Sequence, residues 1–254
     1  MIEKPQKIFS NIRMNVKELY LKSKDNNRLA INIISGAKDK VIIICPGFFQ
    51  SKDTPTFGAI ANSFGEDFDI ISVDMRGHGR SGGLCTFGVK EEEDLSVIID
   101  YARERYKRIG MLAFSLGALA CVNYVSGSDR VNSLVLVSAP MAFEEIENQF
   151  WKPSAVKTGL RGLEKSAGAR LGNPFLDKKK PIEVIGKVSP TPVLFIHGQA
   201  DPIVSVRHSR ALYKAAGEPK KLVIFDKGSH AQELFQDCKE KFVSEIQAWF
   251  KKTL

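Results

Sequence analysis

The chain has 254 residues, 43% hydrophobic and 26% charged, a balance that excludes a disordered or collagen-like polymer and fits a globular protein. Its formal net charge is +8, with nine basic against four acidic side chains in residues 1–40, yet no nucleic-acid motif accompanies the charge, which reads as a solvated basic surface. No run approaches the roughly 18–20 apolar residues of a membrane span, and the opening MIEKPQKIFSNIRMN lacks the apolar centre of a secretory signal.

The first signals are strands. Val16–Leu21 and Leu29–Ile34 flank the turn-rich Asp25–Asn26–Asn27 and predict an antiparallel pair. Val41–Ile44 then runs apolar without alternation, as a strand buried on both faces does. Similar runs recur at Ile70–Val73, Ile109–Phe114, Leu134–Val137, Val193–Ile196 and Leu222–Phe225. Helices are expected between and after them, at Thr56–Phe64, Val89–Tyr106, Leu116–Val125, Val206–Ala216 and Ala231–Phe250. Val89–Tyr106 carries acids early and arginines late, which complements a helix dipole. The alternation predicts an α/β fold: a mostly parallel eight-stranded sheet with helices on both faces.

One connection breaks the rhythm. Residues 140–189 separate two strands and hold Phe143, Phe150, Trp151, Leu160, Leu163, Leu171 and Phe175. A connection this long inside a compact domain is usually functional. We read it as a small, mostly helical cap over one end of the sheet, with residues 1–139 and 190–254 forming the core domain.

The cysteines at 45, 85, 121 and 238 form no CxxC pair and no metal-ligand spacing. Cys45 and Cys121 read as buried thiols of a reducing compartment, which points to the cytoplasm, and no structural metal is expected.

Chemistry concentrates at strand ends. In Ala113–Phe114–Ser115–Leu116–Gly117, a serine stands where an apolar strand meets a small-residue helix. So sharp a turn projects the hydroxyl and needs small residues two positions either side. A serine nucleophile needs a base oriented by an acid. Of His78, His197, His208 and His230, only His230 combines a position after the last strand with the chain order serine, acid, histidine. Asp201 follows the seventh strand and is the expected acid, with Asp226 as its rival. Gly47 allows a tight turn that exposes the amide of Phe48, and the amide of Leu116 opens the helix after the serine; these two N–H groups are the expected oxyanion donors.

With these pieces assembled, the chain resembles the α/β-hydrolase superfamily. The matching motifs are CPGF at 45–48, DMRGHGRS at 74–81, AFSLG at 113–117, HGQADPIV at 197–204 and GSH at 228–230, in family order, from about residue 16 to the end. The branch most similar is that of monoacylglycerol lipases, serine aminopeptidases and small bacterial carboxylesterases or cinnamoyl esterases. The resemblance implies Ser115 as nucleophile, Asp201 as acid, His230 as base, Phe48 and Leu116 as oxyanion donors, and 76–81 as a supporting loop, with His78 structural. It differs at Ala113, where glycine is usual, and at Pro46–Gly47, where relatives carry His-Gly.

The expected function is hydrolysis of small to medium apolar acyl or aryl esters, monoacylglycerols included, without cofactor or metal. Phe49, Phe114, Phe143, Phe150 and Trp151 are the expected pocket. The same triad serves peptidases, amidases, thioesterases and acyltransferases, and Glu144, Glu145 and Glu147 are candidates to hold a substrate amine. A non-catalytic binding protein on the same fold is the third reading.

Overall fold

The computed structural model describes residues 15–146 and 153–254. The strands are β1 (Asn15–Lys22), β2 (Arg28–Ser35), β3 (Lys40–Cys45), β4 (Asp69–Val73), β5 (Arg108–Phe114), β6 (Ser133–Val137), β7 (Val193–Gly198) and β8 (Lys220–Phe225). They form one eight-stranded sheet in the order β1-β2-β4-β3-β5-β6-β7-β8. β2 runs antiparallel to β1 and β4, and the other pairs are parallel.

The unalternating apolar runs explain the layers. Val41, Ile43 and Cys45 face one side of β3 and Ile42 and Ile44 the other, so both faces need covering. On the first side lie α2 (Glu91–Arg103), α3 (Leu116–Val125) and α6 (Arg207–Ala215), which contribute Leu95, Val122 and Leu212. On the second lie α1 (Pro55–Phe64) and α8 (Lys239–Thr253), with Phe57, Phe242 and Ile246. Among the described residues, no helix is long and apolar enough to cross a membrane.

Strand order reverses at β3, which has β4 on one flank and β5 on the other. A crevice opens at the carboxyl ends of strands at such a switch point. Here Cys45 pairs with Ala113, so the loops that leave β3 and β5 start side by side.

Two expectations change in detail. The single helix expected over Ala231–Phe250 is two: α7 (Gln232–Asp237) and α8. Cys238, at φ −141° and ψ 44°, leaves the helical region between them. The break lets α7 stay beside α1, with Gln236 donating to Thr56, while α8 lies along the sheet. Over its described residues, the 140–189 connection is less helical than expected. It holds α4 (Pro153–Arg161), a run without helix over 162–180, then α5 (Pro181–Val184) and a short 3-10 turn (Ile185–Val188). Ile185 and Val188 are buried in the sheet core, so the end of the connection packs as core.

The middle of the connection is laced to the site loops. Gly168 N–H donates to Phe49 O at 2.8 Å, Arg170 N–H to Gly77 O at 2.7 Å, and Cys85 N–H to Arg170 O at 2.8 Å. Glu164 accepts from the backbone N–H of Thr56 at 2.9 Å.

Candidate active site

Ser115 sits between β5 and α3 at φ 47° and ψ −115°, a conformation that side chains other than glycine rarely adopt. Its N–H donates to Val137 O at 2.9 Å, which holds the turn against β6. The reason for a glycine two residues on is visible. A Cβ at Gly117 would lie 2.6 Å from Cys45 O and closer still to Pro46 O. The start of α3 therefore presses onto the loop leaving β3. A Cβ at Gly47 would meet Ser115 Cβ at 3.2 Å, so the turn carrying the Phe48 amide lies directly against the serine. Leu116 opens α3, where leading N–H groups have no partner within the helix.

The loops after β7 and β8 meet at the same edge, where Ala200 N–H donates to Gly228 O at 3.2 Å. Ala231, directly after His230, has φ 49°, and its N–H donates to Ser138 Oγ at 3.0 Å. This tie from the end of β6 fixes the backbone that aims the imidazole. His230 Nε2 lies 3.0 Å from Ser115 Oγ, and Nδ1 lies 2.7 Å from Asp201 Oδ2. Asp201 Oδ1 accepts from the N–H groups of Ile203 and Val204, both at 2.9 Å.

The electrostatics follow from burial and pairing. Burial alone would raise the carboxyl of Asp201. The charge of His230 and hydrogen bonds from His197 and His230 outweigh it and hold Asp201 well below the usual carboxylate range. Burial alone would lower His230; the Asp201 charge and hydrogen bond outweigh it, Glu233 adds to them, and the imidazole titrates above its usual value. This is a serine hydroxyl against an imidazole that favours its charged form, the arrangement nucleophilic acyl transfer needs.

The other expected residues divide. Phe48 is 41% exposed, and its ring lies 6.0 Å from Phe49, 5.8 Å from Phe87 and 5.9 Å from His78, centre to centre. Phe143 joins this cluster through Phe87 at 5.0 Å. Phe114 does not line a pocket. It is fully buried on the α1/α8 face, 5.0 Å from Phe57 and 6.3 Å from Phe242. Side chains alternate along β5, so the residue before the serine points into the core. Phe150, Trp151 and Glu147 lie outside the described residues. His78 is buried, with Nδ1 2.9 Å from Arg76 O, and His208 Nδ1 accepts from Met141 N–H at 3.1 Å.

Three neighbours were not singled out as site residues from the sequence. Ser138 ties Ala231. His197 Nε2 lies 3.3 Å from Asp201 Oδ2. Glu233 is 2% exposed, three residues after His230, and burial pushes its carboxyl up to about 7. Only His197 carried a sequence signal, its place four residues before Asp201.

The comparisons agree with the architecture. A family model described as the alpha/beta hydrolase fold matches residues 40–161. The uncharacterised protein YfhR of Escherichia coli is 26% identical over 170 residues, covering 65% of this chain and 54% of that protein. The chain thus spans about half the length of that relative. Among solved structures, a Pyrococcus furiosus esterase superposes with TM-score 0.79 at 21% identity, over 99% of both chains. An esterase from a Rhodococcus species superposes with TM-score 0.73 at 18% identity, over 95% of this chain and 100% of that one. On its strand order, its strained serine turn and these matches, the chain has the alpha/beta hydrolase fold.

Proposed function

We propose that the protein is a serine hydrolase of carboxylic esters, acting on small to medium apolar acyl or aryl esters. The observation that carries this reading is the unbroken hydrogen-bonded chain from Ser115 through His230 to Asp201, with spacings of 3.0 and 2.7 Å. The likeness in fold to solved esterases supports it.

In this reading Ser115 Oγ attacks the ester carbonyl as His230 Nε2 takes its proton. Asp201 holds the imidazole by Nδ1–H and stabilises its charged form. The amides of Phe48 and Leu116 receive the oxyanion. The imidazolium returns its proton to the leaving alcohol, and the acyl group stays on Ser115. Water then attacks the acyl-enzyme by the same route and frees the acid and the serine. Phe48, Phe49, Phe87 and Phe143 offer the apolar wall that an acyl or aryl group requires. The connection over 140–189, tied by Gly168 and Arg170 to the loops that carry Phe49 and Gly77, is the cap in this reading.

The amide reading would place an acidic side chain at a substrate amine. Of its candidates, Glu145 is engaged by Arg207 at 3.2 Å. A screen of p-nitrophenyl esters of graded chain length, monoacylglycerols, aryl esters and aminoacyl amides tests the assignment. Ester turnover lost on Ser115→Ala is the expected result. Turnover confined to the amides, or ester turnover that survives this substitution, overturns it.

A further inference from the structure

We infer that His197 is a positioning residue: it donates Nε2–H to the acid of the triad and extends the relay to Ser115–His230–Asp201–His197–Ser209. The inference rests on the triad reading above.

His197 lies in β7, fully buried. Its Nε2 faces two acceptors, Val204 O at 2.7 Å and Asp201 Oδ2 at 3.3 Å. A nitrogen facing a carbonyl and a carboxylate must carry the proton. In the neutral ring Nδ1 is then an acceptor, and the buried Ser209 hydroxyl, 2.6 Å away, donates to it. Ser209, in α6, thus selects the tautomer, and the ring offers its one N–H to the 201–204 turn.

The consequence falls on Asp201. Its side chain is shut off from solvent. Oδ1 accepts the N–H groups of Ile203 and Val204 and Oδ2 that of His230, while the His197 Nε2–H, bonded to Val204 O at 2.7 Å, also lies 3.3 Å from Oδ2. Three hydrogen bonds and one longer N–H contact therefore meet the roughly four lone-pair sites of one carboxylate. The Val204 N–H and C=O clamp Oδ1 and the His197 ring at once, so the turn, the acid and the second histidine move as a unit. Without the His197 donor, Oδ2 is held by His230 alone. The carboxylate, still anchored through Oδ1, is then less firmly aligned with the imidazole, and it interacts more strongly with the imidazolium while it stays in place. A histidine that merely fills space and satisfies Val204 would do neither.

The test compares His197→Phe, which removes the donor, with His197→Gln, whose amide N–H reaches the Nε2 position. Rates are read on a p-nitrophenyl ester, and the low-field proton NMR resonance of His230 Nδ1–H is read on the same proteins. Expected for His197→Phe is a fall in kcat of about 10- to 100-fold with KM little changed. The acid limb of its pH profile and the low-field resonance should both move. His197→Gln should recover most of the rate and the wild-type resonance. If His197→Phe keeps the wild-type limb and resonance, the inference is overturned. Should that variant fail to fold, Ser209→Ala carries the test: a smaller fall in kcat and a moved resonance support it, and an unmoved resonance overturns it. Because the resonance reports the His230–Asp201 contact without turnover, it still reads the inference in a protein that hydrolyses no ester. Loss of the esterase reading alone is seen as absent wild-type turnover.

Discussion

His230 and Ser115 are 115 positions apart in the chain, yet the imidazole Nε2 lies 3.0 Å from the serine Oγ. The contact exists because β5 and β8 end at the same edge of one sheet. It is kept because Ala231, at φ 49°, is tied to Ser138.

Ser115 holds a strained backbone, which separates its chemistry from its stability. Ser115→Ala and Ser115→Gly should both lose ester hydrolysis by about 10⁴-fold or more. At φ 47° the alanine keeps the strain and the glycine releases it. Thermal denaturation should find the glycine variant more stable than the alanine variant by roughly 1 kcal/mol. Equal midpoints would deny the strain.

The pH profile follows from the raised pKa of His230. The base works only when neutral, so kcat/KM should rise with pH and reach half its plateau above the ~6.5 of a free imidazole. Asp201→Asn removes the charge that raises it. Its activity should drop by about 10⁴-fold, with any residual limb at lower pH. A wild-type midpoint below 6.5, measured under kcat/KM conditions, contradicts the charge balance described for the site.

Gly117→Ala tests the close approach of α3 to the loop after β3. The new methyl would press on the carbonyls of Cys45 and Pro46, and neither can swing aside as a side chain can. The expected cost is about 1–3 kcal/mol in urea unfolding, with esterase activity falling further as the Phe48 turn shifts. A stable, active variant shows that the loop yields.

Glu233 links the site to stability. Its carboxyl moves from the ordinary 4.5 to about 7 on folding, through burial. The folded state therefore binds its proton more tightly, and stability falls as pH rises between those values. Glu233→Gln should gain up to about 3 kcal/mol on the wild type above pH 7 and little at pH 4. Urea titrations at the two pH values measure the difference. A gain independent of pH assigns the effect to packing.

Inner strands such as β3, β6 and β7 were legible because each lies between two covered faces and reads as an apolar run, as Val41–Ile44 does. Ser115, Asp201 and His230 were legible because turn chemistry around them is local: small neighbours for the serine, and loops directly after strands. The role of Phe114 was not, because one position along a strand decides which face a side chain joins, and the site and the core meet there. Nor was the break at Cys238, since it answers to where α1 and the sheet face lie. His197 was visible as a residue and invisible as a partner. Its hydrogen bonds reach Ser209 on another element and the folded-back 201–204 turn.

The amino-acid order by itself determined the alternation of buried strands and helices and the three candidate groups at strand ends, because those properties depend on neighbours within a few positions. Only the tertiary structure decided the distances among those groups, the N–H groups gathered around Asp201 and the upward push that burial gives the Glu233 carboxyl. Each of these is set by atoms from strands and loops distant in the chain, brought together when the sheet closes over its two cores.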